Sequence, residues 1–151
     1  MRPYLISKIA EHDGRVIRTI APEVRRQVVK PETARQLTQI LEGVTRKGGT
    51  GEKAALAAYA VAGKTGTAQK ADSKTKAYST DRFVSSFVGF VPAEDPDIAI
   101  LVVVDEPKGV SWGGSVAAPV FKNIAEQTLL YLGRVAPTQE RRLVVSRADA
   151  E

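Results

Sequence analysis

The seven residues Ile98-Ala99-Ile100-Leu101-Val102-Val103-Val104 form an unbroken apolar run rich in β-branched side chains. A run this short reads as a β-strand, and apolar residues at every position require cover on both faces. Before it, Arg82 to Val91 is nearly as continuous, with Phe83, Val84, Phe87, Val88 and Phe90, and Pro92 to Asp97 supplies a turn. A third stretch precedes these two. The spacing predicts an antiparallel meander over roughly 60–69, 82–91 and 98–105.

The remaining segments must cover that sheet. Tyr4 to Ile9 and Val16 to Ile20 flank Asp13-Gly14, the pattern of a hairpin. Pro31 suits the first turn of a helix, and Ala34, Leu37, Ile40, Leu41 and Val44 follow at helical spacing. Arg46 and Lys47 favour its C-terminal end, and Gly48-Gly49 stops it, so 48–51 reads as a flexible loop. Lys70 to Asp81 is polar and aperiodic, a long connection and a candidate flap. A glycine-rich connection, Gly109 to Gly114, leads to a second helix starting near Ala117 to Pro119. It carries Val120, Phe121, Ile124, Thr128, Leu129 and Leu132 on one side and ends at Gly133 and Pro137. The fold class is α/β of the α+β type. Residues 1–137 read as part of a domain and 138–151 as a polar, frayed tail. Two helices are thin cover for such a sheet, so the chain is expected either to pair with another chain, including a copy of itself, or to belong to a larger domain.

Composition narrows the chemistry. The chain has 151 residues, is 43% hydrophobic and carries a net charge of +5. Lysine and arginine are dispersed and no basic run interleaves with aromatics, which gives nucleic-acid binding no support. The absence of cysteine removes disulfides and thiolate catalysis, and the single histidine, His12, lies in the hairpin turn. No metal site or cofactor is expected, and a Ser-His-Asp triad has little to build on. No apolar stretch approaches the roughly 18–20 residues of a membrane span.

The chemistry-bearing run is Val61-Ala62-Gly63-Lys64-Thr65-Gly66-Thr67-Ala68-Gln69. A phosphate loop shares its Gly-Lys-Thr core, but such a loop needs a glycine where Ala58 stands. It also needs a helix starting at the lysine, which Gly66 disfavours. An ordinary strand that contains Lys-Thr-Gly by chance remains open on this segment alone.

The ordered set of segments goes further. Pro31-Glu32-Thr33-Ala34, Gly48-Gly49-Thr50-Gly51, the lysine run, Ser85-Ser86-Phe87-Val88-Gly89-Phe90-Val91-Pro92, Asp105-Glu106-Pro107 and Gly113-Gly114-Ser115-Val116-Ala117-Ala118-Pro119-Val120-Phe121 occur in that sequence. Together they resemble the C-terminal part of the transpeptidase domain of class B penicillin-binding proteins. The resemblance implies peptidoglycan cross-linking: a serine of a Ser-x-x-Lys motif attacks a D-Ala–D-Ala stem peptide, and β-lactams are trapped at the acyl stage. It implies that Lys64 attracts the ligand's carboxylate and that Thr65 and Thr67 hydrogen-bond it. Gly66 would keep the strand surface clear, and the Thr67 N–H would form half of an oxyanion hole. It also implies a place on the outer side of a bacterial inner membrane.

The pattern departs from the family in one respect. The chain's single Ser-x-x-Lys match, Ser73-Lys74-Thr75-Lys76, falls in the polar connection and reads as coincidence. No Ser-x-Asn occurs, since the only asparagine, Asn123, belongs to the last helix. The nucleophilic serine is thus absent, and the chain alone is expected to be inactive, its partners being the rest of the domain, stem peptides and β-lactams. A non-catalytic module of the same fold, such as a β-lactam sensor or a degenerate interaction domain, is the alternative. Trp112 and Gly113 read as rim residues, with Trp112 packed. Arg82 reads equally as a partner for a carboxylate or as a solvated edge residue, and Asp105-Glu106 as a turn rather than a metal pair.

Overall fold

The computed structural model describes residues 2–72 and 76–134. Pro137 and the tail 138–151 lie outside the described residues. The chain divides into two compact units, Met1–Ala34 and Arg35–Glu151.

The first unit holds the expected hairpin, shorter than its sequence pattern. Strands β1 (Lys8–Ala10) and β2 (Val16–Thr19) pair antiparallel, with Lys8 opposite Thr19 and a register shift at Ile9/Ala10. Gly14, at φ 89°, makes the turn, and its N–H donates to the Glu11 carbonyl. Every residue of both strands is exposed. Helix α1 (Pro31–Gly43) starts at the expected proline but buries none of its residues, and Leu37 and Ile40 remain open. Leu41 is half-buried and Val44, just past the helix end, packs against the core, so it is the Leu37 and Ile40 part of the apolar stripe that is left open.

The second unit is built on the meander. Strands β3 (Ala62–Ala71), β4 (Tyr78–Val91) and β5 (Ile98–Asp105) form one antiparallel sheet in the order β3-β4-β5. β3 keeps its expected length but lies two residues further along, and β4 is longer than the apolar pattern suggested. Ala71 pairs with Tyr78 past a register shift, so half of the stretch read as a loop is a strand extension. The Ala71–Tyr78 pairing and the buried Ser79, whose hydroxyl accepts the Asp81 and Arg82 N–H groups, support that end without an apolar pattern.

Helices α2 (Gly113–Val116) and α3 (Ala118–Tyr131) follow β5. Pro119 lies in the first turn of α3, where its missing N–H costs nothing. At the other end Gly133, at φ 69°, donates to the Leu130 carbonyl and Arg134 to that of Leu129, closing the helix in the manner expected of a glycine stop. The core lies between α3 and one sheet face: Phe87, Val91 and Val102 meet Phe121, Ala125 and Leu129. The rings of Phe87 and Phe121 meet edge-on with centroids 4.8 Å apart.

The opposite face is bare. Val88, Leu101 and Val103 are 48%, 63% and 54% exposed. The expectation that β5 has both faces covered therefore fails within the described residues. α3 covers one face, and α1, with no buried residue, covers neither.

Candidate active site

The lysine run occupies β3, an edge strand, so on its outer side alternate backbone N–H and carbonyl groups have no strand to pair with among the described residues. Side chains alternate across the sheet. Lys64 lies opposite Val88 and shares the bare face, whereas Thr65 lies opposite Phe87 and Thr67 opposite Ser85 on the helix-covered side. The strand thus carries its cation on one face and its two hydroxyls on the other.

Each group has a defined partner. The Lys64 ammonium is exposed and donates to the Thr65 carbonyl at 2.9 Å. The hydroxyls of Thr65 and Thr50 lie 3.3 Å apart. Thr67 Oγ1 accepts the Gly113 N–H at 3.1 Å. A Cβ on Gly66 would come within 2.5 Å of Ser86 Oγ, so the bare backbone at this position accommodates the cross-strand serine.

Thr50 is the neighbour that the sequence did not mark. The Gly48–Gly51 segment, expected to be flexible, is well tied. Gly49 N–H donates to the Arg46 carbonyl, Gly51 N–H to that of Val44, and Gly48 N–H to the Glu52 carboxylate. A 3₁₀ turn at Glu52–Ala54 continues it. The buried Thr45 fastens the end of α1 to the start of β3 by donating to the Val61 carbonyl at 2.7 Å. The advance signals were the place of this segment in the ordered set of family-like motifs and its glycine density, since glycine serves close backbone approach as well as flexibility.

The glycine-rich connection packs on the same strand. Gly113 is buried, and a Cβ there would sit 2.3 Å from the Ser86 carbonyl oxygen and 2.4 Å from that of Gly66. A Cβ on Gly114 would lie 1.9 Å from the Thr50 carbonyl oxygen. Backbone meets backbone here, so only glycine fits. Gly113 is accordingly a buried spacer. Trp112, expected to pack, is instead 70% exposed, while its carbonyl accepts the N–H groups of Ser115 and Val116. The buried Ser85 hydroxyl donates to the Ser111 carbonyl.

Charged groups cluster where β3 and β5 end. Lys70 reaches Asp105 at 3.0 Å and Glu106 at 2.8 Å, and these hydrogen bonds, that to Glu106 first, raise its pKa above the ordinary lysine value. A lysine of the chain thus sits between the two carboxylates considered for a metal. No group of metal-binding side chains occurs among the described residues. Arg82 pairs with Asp72 at 3.2 Å, favouring the paired reading over the solvated one. Asp81 accepts a hydrogen bond from Ser79 Oγ at 2.6 Å, which is the main cause of its lowered pKa. Ser73, Lys74 and Thr75 of the Ser-x-x-Lys match lie outside the described residues, and Lys76 is exposed at φ 55°.

With this geometry in place, comparison with known proteins is decisive. The family model "Penicillin binding protein transpeptidase domain" matches residues 1–126. The chain belongs to the penicillin-binding protein transpeptidase family. Its relatives place it with the class B members. Stage V sporulation protein D of Bacillus subtilis is 42% identical over 120 residues, 79% of this chain and 18% of that protein. The probable peptidoglycan D,D-transpeptidase PenA of Neisseria gonorrhoeae is 36% identical over 135 residues, covering 85% of this chain and 22% of the relative. Among solved structures, penicillin-binding protein 3 of Mycobacterium tuberculosis, complexed with ampicillin, superposes with a TM-score of 0.74 at 33% identity. That match covers 87% of this chain and 31% of the other. The apo transpeptidase domain of Burkholderia pseudomallei penicillin-binding protein 3 is 39% identical with a TM-score of 0.67, covering 74% of this chain and 34% of that one. The penicillin-binding protein chain described here thus spans about a fifth to a third of these relatives. No helix among the described residues is long and apolar enough to cross a membrane.

Proposed function

We propose that this chain forms the ligand-binding wall of a peptidoglycan D,D-transpeptidase, with the nucleophile and general base supplied by polypeptide outside it. The observation that carries the reading is β3 itself: an edge strand presenting Lys64 on one face and the Thr65 and Thr67 hydroxyls on the other. A D-alanyl carboxylate lying along the edge would meet donors from both threonines and feel the lysine charge. The Thr67 N–H, directed off the strand, would serve as one of two donors to the acyl oxyanion. Loss of one such donor typically lowers the rate by about a hundred- to a thousandfold.

The missing half of the site has a place to bind. The Lys64 face carries the exposed Val88, Leu101 and Val103, which suits cover by the rest of the domain. A serine arriving on that cover would approach Lys64 from the same side. The likeness to a solved ampicillin complex supports β-lactams as ligands of the complete protein, and the relatives named as D,D-transpeptidases support stem peptides. An extracytoplasmic site of action follows from that substrate.

Intact-mass measurement after incubation with ampicillin tests the division of labour. The isolated chain should show no adduct, whereas the complete protein should gain one acyl group, quenched by alanine at its Ser-x-x-Lys serine. A stoichiometric adduct on the isolated chain would refute the assignment of the nucleophile to other polypeptide. A complete protein that never acylates would favour the non-catalytic module.

A further inference from the structure

We propose that Ser85 is a positioning residue that holds the Thr67 hydroxyl ready to donate its hydrogen to a bound carboxylate. The proposal rests on the ligand-wall reading of β3.

Thr67 and Ser85 lie directly opposite each other on β3 and β4. Each holds one residue of the same connection: the Ser85 hydroxyl donates to the Ser111 carbonyl, and Thr67 Oγ1 accepts the Gly113 N–H at 3.1 Å. Two bonds, two residues apart, latch this connection across the strand pair.

Ser85 is fully buried in a row that continues with Phe87, Gly89 and Val91, all buried as well. A hydroxyl in such a row costs stability unless it is bonded, and an alanine would suit the apolar row equally well. Its partner is a loop carbonyl, so what the hydroxyl adds is the place of that loop.

The latch decides what Thr67 can do. A hydroxyl has one hydrogen to give and two lone pairs to accept with. Because Gly113 N–H already occupies a lone pair, the hydroxyl hydrogen is left over, and it has no acceptor among the described residues. Thr67 is exposed, so that hydrogen is available to solvent or ligand. A carboxylate only accepts hydrogen bonds, and Thr67 is thereby set in the orientation such a ligand requires. Gly113 can approach closely enough because it lacks a Cβ, which would meet the Gly66 and Ser86 carbonyl oxygens. With the Ser111 anchor lost, Gly113 drifts and the Thr67 hydroxyl is free to turn towards a backbone carbonyl instead.

The test is an NMR comparison on the ¹⁵N-labelled 151-residue chain, with N-acetyl-D-alanyl-D-alanine as the probe. Ser85→Ala is set against Val91→Ala, a buried truncation at the other end of β4. Hydrogen exchange of the Gly113 amide and the apparent Kd from the Thr67 amide shift are both read. Ser85→Ala should speed Gly113 exchange by about tenfold more than its effect on global stability explains, and raise Kd by about three- to tenfold. Val91→Ala should change Gly113 exchange only as far as stability falls. Ser85→Cys, which keeps a donor at this position, though a weaker and somewhat bulkier one, should fall between wild type and Ser85→Ala, and it replaces Ser85→Ala if that variant does not fold. Equal behaviour of the Ser85 variants and Val91→Ala would overturn the proposal. Thr67→Val separates the two levels of the argument. If it leaves the Kd unchanged, or the wild type shows no peptide-induced shift, the ligand-wall reading fails. If it weakens binding while the Ser85 variants do not, only the role of Ser85 fails.

Discussion

The two faces of the sheet share the same three strands and differ in nearly everything else. On one, Phe87, Val91 and Val102 are sealed by Phe121, Ala125 and Leu129 of α3. On the other, Val88, Leu101 and Val103 stand open beside Lys64. Strand β5 is apolar on both, so its sequence is suited to two covers while the described residues supply one. The difference separates what keeps this unit folded from what it offers to other polypeptide. It also puts the lysine and the threonines of β3 on opposite sides of that division.

The largest effect should come from breaking the covered face. Phe121→Ala removes the ring that meets Phe87 edge-on and is expected to cost about 3–5 kcal/mol in denaturant unfolding. Leu101→Thr, on the open face, should stay within about 0.5 kcal/mol. A comparable loss at Leu101 would mean that the open face is covered in solution by a second copy, and the contrast would collapse.

An intermediate effect is expected at the seam between β3 and the glycine-rich connection. Gly114→Ala drives a methyl group into the Thr50 carbonyl, where the available distance is 1.9 Å. Overpacking of this kind should cost about 1–3 kcal/mol. It should also shift the Thr50 and Thr65 amide resonances and leave that of Leu101 in place.

The smallest effect concerns charge. Lys70 has a folded-state pKa raised above 10.5 by Glu106 and Asp105. A raised pKa means that the ion pairs contribute fully below the unfolded-state value and are lost as pH rises through the folded one. The Tm difference between wild type and Lys70→Met should therefore be constant from neutral pH to about pH 10 and shrink above it. A difference that grows in alkali would show that Lys70 acts through packing of its stem.

Much of the sheet was legible because burial writes itself into side-chain type. Ile98 to Val104 and Phe83 to Val91 announced their strands, and Pro92 to Asp97 the turn between them. The first turn of α1 at Pro31 and the glycine stop of α3 were readable from local chain chemistry. The extension of β4 back to Tyr78 was not, because it rests on the Ala71–Tyr78 pairing and on the Ser79 hydroxyl bonded to the Asp81 and Arg82 N–H groups, which leave no apolar signature. The missing cover on α1 and β5 escaped for the converse reason: an apolar stripe records that cover is needed, not which polypeptide provides it.

The site divides in the same way. Lys64, Thr65, Gly66 and Thr67 stood out as contiguous residues on a strand. Thr50, Ser85 and Ser111 did not, because their relevance comes from contacts between segments far apart in the chain. Gly113 is the instructive case. Its type signalled a need for space, but only the fold shows that the space is filled by the backbones of Gly66 and Ser86.

That contact has a mechanical consequence. Where side chains separate two elements, a rotamer change can absorb a small displacement. Between Gly113 and the Gly66 backbone of β3 no side chain intervenes, and one residue beyond α2 the chain enters α3. The seam acts as a stiff joint, so a shift of β3 on ligand capture would be passed to the first turn of α3 with little slack.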